Sequence, residues 1–110
     1  MLLIYINMGK YDWIDVFVDD RTRVNIKSKY GFIDEANNEI ISLKYDAVSS
    51  ISEGFAVVFL KNKRGFIDVN EVLIPLQFDQ AFPFRGGLAL VQLGDKFNYI
   101  DKRGSCIKDY

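Results

Sequence analysis

The hexapeptide KYGFID at residues 29–34 returns as KRGFID at residues 63–68 and as KFNYID at residues 96–101. We call this hexapeptide the phrase; a weaker version, KYDWID, occupies residues 10–15. The three strong copies are separated by 34 and 33 residues. Because self-similarity at a fixed period of this size is typical of repeat architectures, the sequence predicts a chain built from repeated units.

Two further stretches repeat after the phrase. EIISLKYD at residues 39–46 matches VLIPLQFD at residues 72–79, and AVSSISEGFAVV at residues 47–58 matches QAFPFRGGLALV at residues 80–91. The N-terminal region contains the weak phrase and is shorter than a full unit. We therefore divide the chain into a divergent N-terminal capping or partial repeat and three later repeats, with the boundaries 1–28, 29–62, 63–95 and, for the partial last repeat, 96–110.

The repeats have the pattern of β-strands. Their apolar runs are short, rich in Val, Ile and Phe, and interrupted every 6 to 8 residues by turn-forming residues. Strands at 56–61 and 63–69 leave Lys61–Asn62 as a tight hairpin turn, and Gly94–Asp95 is its equivalent, with Gly at the first central position of a type II′ turn. A third strand at about 72–78 and a ten-residue connection follow. The predicted fold class is all-β, a short array of repeated three-stranded antiparallel meanders of about 33 residues each.

Side-chain alternation gives each hairpin two faces. One face is small and apolar, and we assign it to the core; in the middle hairpin it comprises Ala56, Val58, Gly65 and Ile67. The other face is larger and more mixed, with Val57 opposite Phe66 and Leu90 opposite Tyr99. We expect the neighbouring unit or the connecting loop to cover half of this second face.

The third letter of the phrase is Gly31, Gly65 or Asn98, and it is Asp12 in the weak copy. These residue types tolerate a positive φ or a bulge, so we interpret the position as a backbone requirement. If φ is positive there, Gly65→Val destabilises the protein much more than Gly65→Asn.

The phrase ends in an aspartate at residues Asp34, Asp68 and Asp101, just before a turn. A carboxylate at the start of a turn accepts backbone N–H groups, so we interpret these three residues as structural. A Ca²⁺ site or an acid/base pair would need several carboxylates at one point, and copies one repeat apart need not converge.

The composition limits the function classes. The chain has 110 residues, enough for one domain, and its 14 Lys and Arg are interleaved with 15 Asp and Glu. Because no basic stripe is present, we do not expect nucleic acid as a partner. No apolar run approaches the ~18 residues of a membrane span, and the lone Cys106 fits a reducing compartment. We expect a cytoplasmic protein without a membrane partner.

Catalytic motifs are lacking in the sequence. The chain has no histidine, so it has no Ser-His or Cys-His pair and no imidazole metal ligand. Its glycines form neither a P-loop nor a dinucleotide fingerprint. We expect a protein that is not an enzyme and binds no metal or cofactor; a carboxylate-based hydrolase is the least favoured alternative.

The full unit resembles the WG (KWG-type) β repeats of bacterial proteins. The resemblance rests on K-[YRF]-[GN]-[FY]-I-D, then I-[SP]-L-x-[YF]-D, then [IF]-x-x-G-x-A-x-V, and it covers residues 29–110. It departs from the family where Asn98 replaces Gly, where Ser42 replaces the proline seen at Pro75, and where the common Trp appears only as a displaced Trp13. The resemblance implies an array of short antiparallel β units with a role in protein interaction, and it brings no catalytic residues.

The units differ most between SSIS at residues 49–52 and FPFR at residues 82–85. Phe82 stands where Ser49 suffices, so the fold of the unit does not require this ring. We take as candidate binding residues the exposed-aromatic and loop positions Phe82, Phe84, Arg85, Tyr99 and Trp13.

Two functions fit these residues. The first is a noncatalytic protein-interaction or scaffold module that recognises an extended peptide by strand addition or through the Phe82 loop. The alternative is a carbohydrate-binding or small-ligand-binding repeat that uses its aromatic face. The apolar stretch LLIYI at residues 2–6 also makes a homodimer through an open strand edge an option.

Overall fold

The computed structural model describes residues 9–70 and 73–107. Every regular element in this part of the chain is a β-strand. The strands are β1 (Trp13–Ile14), β2 (Arg21–Ile26), β3 (Lys29–Asp34), β4 (Glu39–Tyr45), β5 (Ala47–Val48), β6 (Phe55–Leu60), β7 (Lys63–Asp68), β8 (Leu73–Phe78), β9 (Gln80–Ala81), β10 (Ala89–Leu93) and β11 (Lys96–Ile100).

The strands form three antiparallel sheets. The first sheet has the order β1-β2-β3-β4, the second β5-β6-β7-β8, and the third β9-β10-β11. The three strong copies of the phrase are β3, β7 and β11. The sheets form an elongated stack of 52 × 28 × 18 Å. The predicted all-β repeat fold is therefore confirmed, whereas the boundaries between repeats stay a prediction.

The hairpin register follows the prediction. Leu60 pairs with Lys63, Val58 with Gly65 and Ala56 with Ile67, counting outward from a two-residue turn. Both turn residues have a positive φ, 53° at Lys61 and 68° at Asn62, as a type I′ turn requires. In the third sheet Gly94 has a φ of 62°, in keeping with its predicted place at the start of the turn.

The segment predicted to be a connection between meanders begins with a short β-strand. Its first residues form the short strands β5 and β9, which pair with β6 and β10. In the second sheet Ala47 pairs with Phe59 and Val48 with Val58. Because backbone groups beside a buried strand need hydrogen-bond partners, this segment joins the sheet as a fourth strand.

The weak phrase at residues 10–15 is not structurally equivalent to the strong copies of the phrase, although its sequence is similar to theirs. Asp12 is equivalent to Asp46 and Asp79 and not to the third letter of the phrase. Each of these carboxylates accepts a hydrogen bond from the first backbone N–H of the following hairpin turn; the donors are Lys27, Lys61 and Gly94, at 2.7, 3.1 and 2.7 Å. The stretch therefore matches the aromatic-Asp end of the unit, and the apolar residues 2–6 lie outside the described residues.

The core lies between the sheets. The larger faces of the first and second sheets pack on the small faces of the second and third sheets. The first junction buries Phe32, Ile41, Tyr45, Val48, Ala56, Val58 and Ile67. The second junction buries Val57, Phe66, Ile74, Phe78, Ala81, Phe84, Ala89, Val91 and Ile100. The larger face is thus buried and not half-covered at Phe32 and Phe66, which are 3% and 0% exposed.

The N-terminal segment contributes to the core on the small face of the first sheet. Tyr11 is buried against Val24 and Ile33, and Ile14 and Phe17 pack around them. Ile14 lies on that face itself, because it pairs with Val24. The capping role predicted for residues 1–28 stays a prediction.

The glycine of the phrase is required for a close approach and not for a positive φ. A Cβ at Gly65 would lie 2.8 Å from the carbonyl oxygen of Pro75, and one at Gly31 would lie 2.8 Å from that of Ser42. The strand register shifts at both glycines, which is the mark of a β-bulge. Neither glycine has a positive φ, so the expected difference between Val and Asn at position 65 loses its basis.

Candidate interaction surface

Equivalent residues form one row of side chains across the larger face of each sheet. In the second sheet the row runs Ser49, Val57, Phe66 and Ile74, because Val57 pairs with Phe66 and backbone bonds connect the outer two. In the third sheet the row, which we call the outer row, runs Phe82, Leu90, Tyr99 and Ile107. The two rows have the same construction but differ in what covers them.

Exposure separates the two rows. Phe66 is 0% exposed, whereas Tyr99 at the equivalent position is 52% exposed. Phe82 is 45% exposed, and Leu90 and Ile107 are half-buried. Phe97 lies two residues before Tyr99 on the same face and is 55% exposed. The third sheet therefore presents an apolar face to solvent.

A groove of 820 Å³ lies beside the outer row. Its walls are formed by the row residues and by two loops that lie side by side, residues 50–52 and 82–85. The charged residue of the lining is Arg85; the remaining lining residues are Ser50, Ile51, Ser52, Phe82, Pro83, Leu88, Leu90 and Tyr99. An apolar floor with a few polar groups is the usual composition of a binding cleft.

Phe82 has a place that a serine fills elsewhere in the stack. In the second sheet the Ser49 hydroxyl accepts a hydrogen bond from the Val57 N–H at 2.8 Å and donates one to the Ser50 carbonyl at 2.8 Å. The Ser49 hydroxyl is therefore used within the second sheet, and the Ser49 N–H donates to the Val57 carbonyl at 2.9 Å. Phe82 keeps the same backbone bond to Leu90 at 2.9 Å but directs a large ring to the surface.

The candidate Phe84 is a core residue. It is 0% exposed, and its ring centroid lies 4.9 Å from that of Phe66 and 5.1 Å from that of Phe55. Its carbonyl accepts a hydrogen bond from the Ser52 hydroxyl at 2.8 Å. The ring fills the second junction because the loop turns inward between Phe82 and Arg85, so Phe84 is not available to a ligand.

The candidate Trp13 lies in the first sheet, at the other end of the stack. It is 42% exposed, its ring meets Tyr30 edge-on at 5.9 Å, and the Arg23 guanidinium lies 5.7 Å from its ring centroid. Arg23 is held by Asp15 at 2.7 Å. Trp13 is thus separate from the outer row, and the structure brings together only Phe82, Arg85 and Tyr99 of the five candidates.

Glu53 fixes the loop that carries Arg85, a role that the sequence comparison missed. Its carboxylate accepts hydrogen bonds from the Gly86 N–H at 2.7 Å and the Gly87 N–H at 2.9 Å. These two bonds, with Lys102 at 3.4 Å, lower the pKa of Glu53. The sequence contained one indication of this role: Glu53 and Gly86 occupy the same position in successive repeats but differ in residue type. In the structure the Gly86 N–H donates to the Glu53 carboxylate of the preceding unit.

The phrase-ending aspartates hold turns. Asp34 accepts backbone hydrogen bonds from Ala36 and Asn38 at 2.9 Å each, and Asp101 does the same with Arg103 and Ser105 at 2.9 and 3.0 Å. The bonds from Asn38 lower the pKa of Asp34, and the bond from Ser105 lowers that of Asp101. Asp68 likewise accepts a hydrogen bond from the Asn70 N–H at 2.9 Å. Across residues 9–70 and 73–107 no group of three acidic or thiol side chains could hold a metal ion.

Two carboxylates join successive sheets. Asp46 accepts from the Lys29 ammonium of the first sheet at 2.7 Å and from the Lys61 N–H of the second at 3.1 Å. Asp79 does the same between the second and third sheets, with Lys63 at 2.6 Å and Gly94 at 2.7 Å. The lysine is the main cause of the lowered pKa at each aspartate.

The stacked sheets, each built on the same hairpin and phrase, define a β-repeat protein. The family model described as WG containing repeat matches residues 30–63 and 65–97. The chain belongs to this family, as its sequence resemblance implied. No curated protein and no solved structure matches the chain. In the described part of the chain no helix is long and apolar enough to cross a bilayer.

Proposed function

We propose that the protein is a noncatalytic protein-interaction module that binds its partner through the outer row of the third sheet. The observation that carries the proposal is the exposure of Tyr99, since the equivalent Phe32 and Phe66 are buried by a neighbouring sheet. Exposed apolar patches with a polar rim are typical of protein-binding sites. Phe82 and Arg85 extend this surface, and aromatic and arginine side chains are enriched among residues that dominate binding.

Affinity capture from the cells that make the protein tests this function. The bait is the full chain, and the test variant is Phe82→Ser, which restores the residue type of Ser49 and leaves the backbone bond in place. The control is Leu93→Ser, because Leu93 is 54% exposed on β10 but faces away from the outer row. We expect the Leu93 variant to recover the same partners as the native chain and the Phe82 variant to lose them. Equal recovery by both variants would remove the Phe82 loop from the function.

The groove supports a second candidate, the binding of a carbohydrate or another small ligand. Phe82 and Tyr99 are exposed aromatic residues at the groove, and Arg85, Ser50 and Ser52 offer polar groups beside them. Titration with a panel of neutral and acidic oligosaccharides, followed by tyrosine fluorescence, separates the two functions. Saturable quenching that disappears in Tyr99→Ala would favour this candidate over a protein partner.

We propose a cytoplasmic location for this module. The single Cys106 is exposed and unpaired, and a free exposed thiol suits reducing surroundings.

A further inference from the structure

The two junctions between sheets are filled differently at one equivalent place. In the second junction three rings meet there: the Phe84 centroid lies 5.1 Å from that of Phe55 and 4.9 Å from that of Phe66. The first junction has one cationic, one branched aliphatic and one aromatic side chain at the same places, in that order Arg21, Ile51 and Phe32. Two of the three rings are therefore replaced in the first junction.

A cleft of about 290 Å³ lies at this place, between the two four-stranded sheets. Its lining contains Phe32, Ile51 and Arg21, together with the exposed side chains of Val16 and Val18. Space that two phenylalanine rings fill in the second junction is thus open in the first. The volume is at the small end of the range of about 300 to 1,000 Å³ that is usual for small-molecule sites.

One pair of charges in the cleft is neutralised within the protein. The Arg23 Nε and Nη2 atoms donate to Asp15 at 3.0 and 2.7 Å, and Nη1 donates to the Val48 carbonyl at 3.2 Å. The bonds from Arg23 are the main cause of the lowered pKa of Asp15. Both side chains are therefore engaged in the wall of the cleft.

A second pair of charges, Arg21 and Asp19, also lines the cleft but is not engaged in this way. In the part of the chain that the structure describes, neither side chain forms an ion pair or a hydrogen bond. The adjacent Asp20 differs, because its carboxylate accepts the Glu35 N–H at 3.0 Å. The cleft thus presents a guanidinium and a carboxylate, both unpaired, beside an aromatic ring.

We propose that this cleft binds a small aromatic zwitterion, an α-amino acid of the phenylalanine type. Its ring would pack on Phe32 in the space that rings fill in the second junction, its carboxylate would meet Arg21 and its ammonium would meet Asp19. Aromatic pairs are favourable at such centroid distances, and carboxylate–guanidinium hydrogen bonds are among the strong ones. The site is separate from the outer row and does not rest on the proposed interaction function.

The charges of the cleft favour a zwitterion over ligands with one sign of charge. An anion without an ammonium group would leave Asp19 unpaired, and a cation without a carboxylate would do the same to Arg21. The volume also favours a single amino acid over an oligosaccharide. A ligand with both charges and one ring matches every group that the cleft offers.

Isothermal titration calorimetry of the native chain with L-phenylalanine tests the site. We expect saturable one-site binding with a Kd on the order of 1 mM, as the size of the ligand allows. Three analogues each lack one recognised group: 3-phenylpropionate has no ammonium, phenethylamine has no carboxylate and L-alanine has no ring. Each should bind about tenfold more weakly or worse. Absence of saturable binding, or an analogue that binds as well as L-phenylalanine, would overturn the proposal.

The variant Ile51→Phe restores the ring that Phe84 supplies in the second junction. It should fill the cleft, abolish binding of L-phenylalanine and keep or raise the melting temperature, so that lost binding is not caused by unfolding. Undiminished binding by this variant would contradict the assignment of the cleft.

The variant Arg21→Gln provides a second test on a surface side chain. It should weaken binding of L-phenylalanine about tenfold and leave binding of phenethylamine, which has no carboxylate, unchanged. The matched control is Arg103→Gln, whose side chain is 86% exposed and lies outside the cleft, and it should bind as the native chain does. An equal loss for both ligands, or no loss for L-phenylalanine, would overturn the role of Arg21 and with it the proposal.

Discussion

The second and third sheets are built from nearly the same hairpin, and they differ in how many faces are covered. Phe66 in the second sheet is enclosed by Phe84 and Phe78, whereas Tyr99 at the same place in the third is half in solvent. The residue type at each position matches its exposure: the buried residue is a phenylalanine, and the exposed one is a tyrosine, which carries a polar hydroxyl. A repeat position in this stack therefore has a fixed geometry and an environment that depends on its place in the array.

The largest expected difference between the two sheets is at this position. Phe66→Ala should lower the free energy of unfolding by about 3 to 5 kcal/mol, because it removes a buried ring and leaves a cavity. Tyr99→Ala should cost about 1 kcal/mol or less, because the ring is half-buried. Urea denaturation followed by circular dichroism measures both. Similar costs for the two variants would mean that the outer row is covered in solution.

The next difference between the two sheets concerns the third position of the phrase, which is Gly65 in the second sheet and Asn98 in the third. Gly65→Ala should cost about 1 to 3 kcal/mol, because the new Cβ would press on the backbone of Ile74 and Pro75. Asn98→Ala should change the free energy of unfolding by only about 0.5 kcal/mol, because a Cβ is already accommodated there. The same denaturation experiment applies. Gly65→Asn should be about as harmful as Gly65→Ala, and a harmless Asn variant would reinstate the positive-φ interpretation.

Acid should weaken the junctions between sheets. The pKa of Asp46 and of Asp79 is lowered in the folded state, mainly by Lys29 and Lys63, from an ordinary value of 3.8. A lowered folded pKa gives stability that is complete above pH 3.8 and is lost as the pH falls below it toward the folded value. The melting temperature should therefore be level near neutral pH and decline below about pH 4.

The double variant Asp46→Asn with Asp79→Asn is the control for that profile. It should melt at a lower temperature at pH 7 and show a shallower decline in acid. A decline as steep as that of the native chain would assign the acid sensitivity to other groups, such as Asp34 and Asp101.

The smallest effect distinguishes the paired lysine from the unpaired one. Lys63→Met should lower the melting temperature slightly, because the ion pair with Asp79 is partly exposed and such pairs contribute little. Lys96→Met should not lower it, since no carboxylate of the described chain pairs with Lys96. Differential scanning calorimetry at low salt resolves the difference; a loss at Lys96 equal to that at Lys63 would indicate a partner for Lys96 within the chain.

The local parts of this architecture could be predicted from the sequence. The period, the hairpin at Lys61–Asn62 and the pairing of Val58 with Gly65 depend on contacts between residues close in the chain. The phrase-ending aspartates are also local, since Asp34 binds N–H groups two and four residues later. Such features leave a repeated pattern that an internal alignment detects.

Contacts between units were harder to predict. Phe82 and Phe84 have the same residue type two positions apart, and only the inward path of the loop separates the exposed ring from the buried one. Glu53 reaches the turn of the next unit, 33 and 34 residues away, and no local pattern records that contact. The glycine of the phrase suits a positive φ and a close approach equally well, so its identity could not decide between them.

Each sheet takes its strands from two successive sequence repeats, and this affects how the number of sheets can change. Each sheet receives its first short strand from the segment just after Asp46 or Asp79 and its central strand from the phrase, so a span of 33 or 34 residues contains one complete set of strands wherever it begins. Recombination between equivalent codons one repeat apart therefore inserts or deletes one whole sheet. The residues of the outer row are retained in every such product, while the number of stacked sheets changes.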